Sequence, residues 1–220
     1  MMEKQEKQQR VVLLHGLGQG PESWRAAAER MQGVSAAALD LSAMLAGRAE
    51  YQALRDALFA ALDAEQEPLH LCGLSLGGAL ALDYAAHRPE RMASLVLIGT
   101  PYAVPRRLLK LQDVLFALMP QRSFAGMGLT KQQVRGLAAS MAEVDIPALL
   151  PRVRCRVLVL CGAKDRANRR AAEQLQGGLA NASLQWVAGA GHEVNREAPA
   201  ALAALLTAFY RAGQDAQRSL

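Results

Sequence analysis

The sequence predicts an α/β fold: a mainly parallel, six-stranded sheet flanked by helices. Short apolar runs rich in Val, Leu and Ala alternate with longer segments of helical period. Those runs are apolar almost throughout, which is the pattern of strands covered on both faces. At 220 residues and 51% hydrophobic, the chain suffices for one core and is too short for two full catalytic domains.

Taken in order, residues 1–10, MMEKQEKQQR, form a polar tail of mixed charge with no apolar h-region of the kind that a secretory signal needs. Strands are predicted at Val11–Leu14, Ser35–Leu39, Leu69–Cys72, Leu95–Ile98, Val157–Cys161 and Leu184–Val187. Helices are predicted between them around 21–32, 49–64, 76–87, 167–177 and 197–212. From Thr100 to Pro151 the strand rhythm stops. Two amphipathic segments replace it, one carrying Leu108, Leu111, Leu115 and Leu118, the other Val134, Leu137, Met141 and Val144. Pro101, Pro105, Pro120, Pro147 and Pro151 punctuate this stretch. It reads as a helical insertion, residues 101–150, beside a core of 11–100 and 151–220.

Composition excludes several classes. The formal charge of +5 comes from 25 basic and 20 acidic residues, and its clusters (PRRLLK, PRVRCR, DRANRR) have no interleaved aromatics, so they read as solvated faces and not as a nucleic-acid surface. Arg166, Arg169 and Arg170 alone keep a functional claim, because they follow a candidate site residue. No apolar run is long enough to span a membrane. Cys72, Cys155 and Cys161 are an odd set without CxxC spacing and read as reduced thiols of a cytoplasmic protein, with no metal site. Oligomeric state is left open.

The stretch VVLLHGLGQG supports two readings. Gly16 and Gly18 after a strand, with Asp40 closing the next, imitate a dinucleotide fingerprint, but Pro21 stands where its third glycine belongs. Alternatively HGLGQG is an oxyanion loop in which the Leu17 N–H points at developing negative charge. An ordinary strand-to-helix turn fits as well, and the loop alone decides nothing. The second reading requires a nucleophile, and Gly73-Leu74-Ser75-Leu76-Gly77 fits G-x-S-x-G between a strand and a helix. So sharp a turn strains the serine backbone and leaves no room for side chains two residues to either side. Ser75 at a helix N-terminus also sends the Leu76 N–H toward a second oxyanion position.

Serine needs a histidine base oriented by a carboxylate. His15 adjoins the glycine loop, His70 sits within a strand and His87 ends a helix, so each has a structural explanation. His192, in GAGHEVNREAP, follows a strand and a small-residue loop at the carboxyl edge of the sheet. Asp165 leaves the same edge after VLVLCG; a helix-capping aspartate is the alternative. The order Ser75, Asp165, His192, each after a strand, favours the triad.

With these pieces assembled, HGLGQG, GLSLGG, HRPERMASLVLIGTP, VLCGAKD and GAGHEVNREAP resemble the oxyanion loop, elbow, post-helix strand, acid turn and base loop of the α/β-hydrolase superfamily. The resemblance covers nearly all of Val11–Leu220. It implies that 101–150 is a small cap over the site, with Phe116 and Phe124 lining a substrate pocket, and that no cofactor is used. Family members usually carry two further strands before the oxyanion loop, so a trimmed sheet is expected; the residues RAN after Asp165 replace the proline often found near the acid. The implied activity is hydrolysis of a carboxylic ester in a small, largely apolar substrate. Carbon–carbon hydrolysis, thioester hydrolysis and lyase chemistry use the same triad, and a non-catalytic small-molecule-binding protein on this fold is the reading of another class.

Overall fold

The computed structural model describes residues 9–45, 49–103 and 130–218, with side chains described as far as 215. Six strands, β1 (Gln9–Leu14), β2 (Val34–Leu39), β3 (Leu69–Leu74), β4 (Met92–Ile98), β5 (Arg156–Gly162) and β6 (Ala182–Val187), form one sheet in the order β2-β1-β3-β4-β5-β6. Every neighbouring pair is parallel. All the strands therefore end at one edge, and whatever follows them in sequence collects there.

Period-two alternation sends successive side chains to opposite faces. Val12 and Leu14, Leu95 and Leu97, and Val157 and Val159 meet the layer made by α2 (Tyr51–Asp63), α3 (Leu76–His87), α4 (Lys131–Met141), the short α5 (Ile146–Leu149) and α6 (Arg169–Gly178). Val11 and Leu13, Val96 and Ile98, and Leu158 and Leu160 meet the other layer, made by α1 (Arg25–Ala28), α7 (Val194–Glu197) and α8 (Pro199–Arg218). Helix α2 turns Tyr51, Leu54, Leu58 and Leu62 inward at helical spacing. Helix α3 is buried on every side from Leu76 to Ala86, which is why its sequence is apolar all round.

The predicted helix 21–32 resolves into a 3-10 turn, Pro21–Trp24, followed by the single turn of α1. The predicted helix 197–212 is preceded by α7 and broken at Ala198, because the residue before a proline is pushed out of the α region; Pro199 then opens α8. Of the two amphipathic segments, the second lies in α4 as far as Met141, with Val144 in the turn beyond; Thr130 and Gln133 form a capping box and Val134 and Leu137 are buried. Leu108, Leu111, Leu115, Leu118, Phe116 and Phe124 lie outside the described residues. No described helix is long and apolar enough to cross a membrane.

At the opposite end of the sheet from the strand termini, His70 is buried, with Nδ1 2.8 Å from Ser94 Oγ and its ring edge-on to Tyr210. Burial, aided by the charge of Arg156, pulls its pKa down from 6.5 to about 4. The unfolded chain thus binds a proton that the folded chain resists, so stability is intact above pH ~6.5 and declines as pH falls toward ~4. In urea melts at pH 7, 5.5 and 4.5, His70→Asn, which keeps a partner for Ser94, is expected to flatten that decline.

Candidate active site

The sharpest turn in the chain joins β3 to α3. Ser75 there has φ 53° and ψ −111°, the only positive φ outside glycine among the described residues. Such a conformation costs about 1–3 kcal/mol and survives where the surroundings impose it. They do so here. A Cβ on Gly73 would strike the Gly77 carbonyl, and one on Gly77 would strike the carbonyls of Leu14 and His15 at the end of β1. The Ser75 N–H is held by Ile98 O at 2.9 Å, anchoring the elbow to β4. Glycines at both positions are therefore steric requirements, and each accepts a helix or strand penalty of about 1 kcal/mol to let three backbones meet.

The loop after β1 lies directly on this elbow: an added Cβ at Gly16 would be 3.5 Å from Ser75 Cβ. Its turn closes by Gln19 N–H donating to Gly16 O at 3.2 Å, with Gly18 at φ 83° between them. Leu17 thus sits at the tip of a turn resting on the serine, and Leu76 opens α3, where first-turn N–H groups have no intrahelical acceptor. His15 supports the loop from beneath. Leu41 N–H donates to its Nε2 at 3.0 Å, so the ring proton is on Nδ1, which donates to Gly16 O at 3.0 Å. Burial lowers the pKa of His15 and keeps it neutral. Asp40, the acidic residue of the dinucleotide reading, accepts from Ser42 N–H, Ser42 O–H and Ala43 N–H. Those bonds hold its carboxyl below the usual range and commit it to a turn.

Asp165 follows β5, His192 follows β6, and the two meet. His192 Nδ1 is 2.8 Å from Asp165 Oδ2; the carboxylate is buried while the imidazole is partly open. Their loops are fused by backbone bonds, Ala163 N–H to Val187 O at 2.9 Å and Lys164 N–H to Ala190 O at 2.8 Å. A Cβ on Gly162 would overlap the Ala190 and Gly191 carbonyls.

Several residues that sequence reasoning did not single out complete the arrangement. Asn168 Nδ2 donates to both Asp165 oxygens, at 3.0 and 2.9 Å, clamping the carboxylate beneath the ring. Gly99 ends β4 between the serine strand and the acid strand with φ 52°, and a Cβ there would come within 3.0 Å of His192 Nδ1. Glu197 reaches back to Gly191 N–H at 2.7 Å and Glu193 N–H at 2.9 Å, bracketing His192. The five-residue spacing from His192 to Glu197 was a visible signal for that bracket; Asn168 and Gly99 had none beyond following a strand. Arg166, Arg169 and Arg170 are exposed, and the Arg169 guanidinium lies over the Trp186 ring at 5.0 Å. A wider cleft of about 770 Å³ lies away from this edge, against α2 and α4; its inner polar groups satisfy one another, Tyr51 O–H donating to Asp83 at 3.1 Å with His87 against the same carboxylate at 2.9 Å.

Comparison with known proteins agrees with this architecture. The model of the alpha/beta hydrolase family matches residues 11–205. The chain is 39% identical over 94 residues to the pimeloyl-[acyl-carrier protein] methyl ester esterase of Aromatoleum aromaticum, covering 41% of this chain and 36% of that protein. It is 28% identical over 147 residues to lipase LipV of Mycobacterium tuberculosis, covering 64% of this chain and 54% of the lipase. The chain thus matches little more than a third and about half of these relatives' lengths. A hydrolase structure from Pseudomonas aeruginosa PA01 superposes with a TM-score of 0.80 over 93% of this chain and 91% of that one, at 22% identity, a likeness of fold.

Substituting Gly99→Ala puts a methyl group against the His192 ring at a backbone angle that alanine resists. It is expected to cost about 1–2 kcal/mol of stability and to abolish the downfield proton resonance of the His192 Nδ1–H bond to Asp165; an unchanged spectrum would show that the ring does not rest on Gly99.

Proposed function

The chain belongs to the alpha/beta hydrolase family, and on that premise we propose that it is a serine hydrolase cleaving a carboxylic ester, or a related acyl bond, of a small, largely apolar substrate. The observation that carries this reading is the strained Ser75, wedged between Gly73 and Gly77 at the sheet edge where Asp165 holds His192 Nδ1 at 2.8 Å. With Nδ1 committed to the carboxylate, His192 Nε2 is the nitrogen able to take a proton.

In the proposed reaction, Ser75 Oγ attacks the acyl carbon while its proton passes to His192 Nε2. The tetrahedral oxyanion accepts from Leu17 and Leu76 N–H, donors of a kind worth about 3–4 kcal/mol each to the transition state. Collapse expels the alcohol, protonated by His192, and leaves an acyl-Ser75. Water, deprotonated by His192, then releases the acid. Asp165 orients the imidazole and stabilises its charged form throughout.

An apolar substrate is supported by the surroundings of the elbow. One small cavity beside it is walled by Leu17, Leu41, Leu45, Leu76 and Leu137, another by Ala79, Tyr102, Met141, Val144 and Ile146. The relatives named as an esterase and a lipase favour an ester over the other acyl chemistries. We assign residues 101–150 as a small cap, with Phe116 and Phe124 as further pocket candidates.

A fluorophosphonate probe is expected to label Ser75, and Ser75→Ala to lose the label while keeping its melting temperature; label persisting in that variant would remove Ser75 from the mechanism. Asp165→Asn is expected to lower kcat on the order of 10³- to 10⁴-fold, measured on p-nitrophenyl butyrate. Along a p-nitrophenyl ester series, each added methylene should contribute up to ~0.8 kcal/mol of binding until the pocket is full. A flat profile from acetate to long chains would contradict an apolar pocket.

A further inference from the structure

The turn carrying Leu17 and the loop carrying His192 are about 175 residues apart in sequence, yet one buried side chain joins them. Gln19 closes the Leu17 turn through its backbone, and its amide is buried. Gln19 Nε2 donates to Glu193 Oε1 at 3.0 Å and to Asn195 Oδ1 at 3.3 Å, while its Oε1 accepts from Asn195 Nδ2 at 3.0 Å. The second Asn195 hydrogen goes to Ser23 Oγ at 3.1 Å, and Ser23 donates to Gly20 O at 2.7 Å. Asn195 is fully buried and Ser23 nearly so.

The network runs in one direction only. A carboxylate at Glu193 accepts and does not donate, so the Gln19 NH₂ must face it. That choice orients Asn195, whose NH₂ then faces Gln19 Oε1 and Ser23 Oγ, and leaves the Ser23 proton for Gly20. Each amide hydrogen has its own acceptor, the Ser23 hydroxyl also lies 3.3 Å from Gln19 Oε1, and rotating either amide sets like groups against each other between the buried Gln19 and Asn195, while Glu193, 44% exposed, reaches solvent. The Leu17 turn and the His192 loop therefore move as one body.

Resting on the serine-hydrolase reading above, we propose that Gln19, with Asn195, is a positioning pair that sets the oxyanion N–H of Leu17 at a fixed distance from the base His192 through Glu193. Neither residue touches the reacting atoms. Both act through the groups that do.

The test compares Gln19→Leu, Gln19→Glu and the double variant Gln19→Glu/Glu193→Gln on a p-nitrophenyl ester, with kcat, KM, melting temperature and fluorophosphonate labelling rate measured for each. Gln19→Leu and Gln19→Glu are expected to lower kcat and the labelling rate roughly 10- to 100-fold, as a displacement of about 1 Å would, with KM changed about twofold or less. Gln19→Glu sets carboxylate against carboxylate. The double variant restores one donor facing one carboxylate at the Glu193 contact while Asn195 Oδ1 still meets an oxygen, and is expected to recover a clear part of kcat over Gln19→Glu. Wild-type kcat in folded Gln19→Leu with a lowered melting temperature would reduce the pair to a structural role and overturn the proposal, as would a double variant no better than Gln19→Glu. Should Gln19→Leu fail to fold, the comparison of Gln19→Glu with the double variant decides alone. Failure of the underlying reading looks different: the wild-type protein itself would neither turn over esters nor be labelled at Ser75.

Discussion

Everything at the carboxyl edge of the sheet depends on one steric constraint, the passage of three backbones through the space around Ser75. Strand β1 ends against Gly77, the start of α3 folds back over Gly73, and β4 holds the Ser75 amide. No rotation of the serine alone relieves its positive φ, because each neighbour is itself fixed within the sheet or in a helix buried on every side. The strain is the by-product of a turn tight enough to lift a hydroxyl clear of the sheet at the first amides of a helix. A looser turn would remove the strain and lower the side chain into the core.

Polar chemistry sits on this edge with most of its buried groups met by partners, Thr100 Oγ1 being the exception among the described residues. The Asp165 carboxylate is almost wholly buried, a situation that costs several kcal/mol unless it is met by donors. Asn168 and His192 supply them. The same accounting explains His15, kept neutral between Leu41 N–H and Gly16 O, and Glu197, which spends both oxygens on the amides around His192. A side chain dedicated to each loop gives the edge rigidity that a chain of solvent-exposed turns would lack.

Much of the fold could be read from the residues. All six strands were predicted, each within its observed span, because two-sided burial demands apolar runs wherever a strand passes between helix layers. The errors were at the ends. Strand β4 starts at Met92 and β6 at Ala182, where backbone pairing with Leu69 of β3 and Val157 of β5 extends each strand past its apolar stretch. The helix boundary at Ala198 followed from Pro199 and had a readable cause that went unused. Helix α4 was legible as an amphipathic segment, yet which partner its face would meet was not; Val134 is buried and Leu137 joins the core with residues of α2 and α3.

The sequence by itself determined what local sterics and periodicity control: the α/β alternation, the glycines that permit the elbow, and the candidates Ser75, Asp165 and His192 at the ends of strands. Tertiary structure alone decided which of those ends became neighbours. The order β2-β1-β3-β4-β5-β6 sets β4 between β3 and β5, so Gly99 underlies His192, and it brings the β6 loop over the acid of β5. Asn168 gains its meaning only beneath that pair, and Gln19 finds Asn195 across 176 residues of sequence. Periodicity reports which face of an element is apolar. It carries no record of which loops meet, because a hydrogen bond between distant loops is fixed by where the strands bring them in space, and no spacing along the chain encodes that.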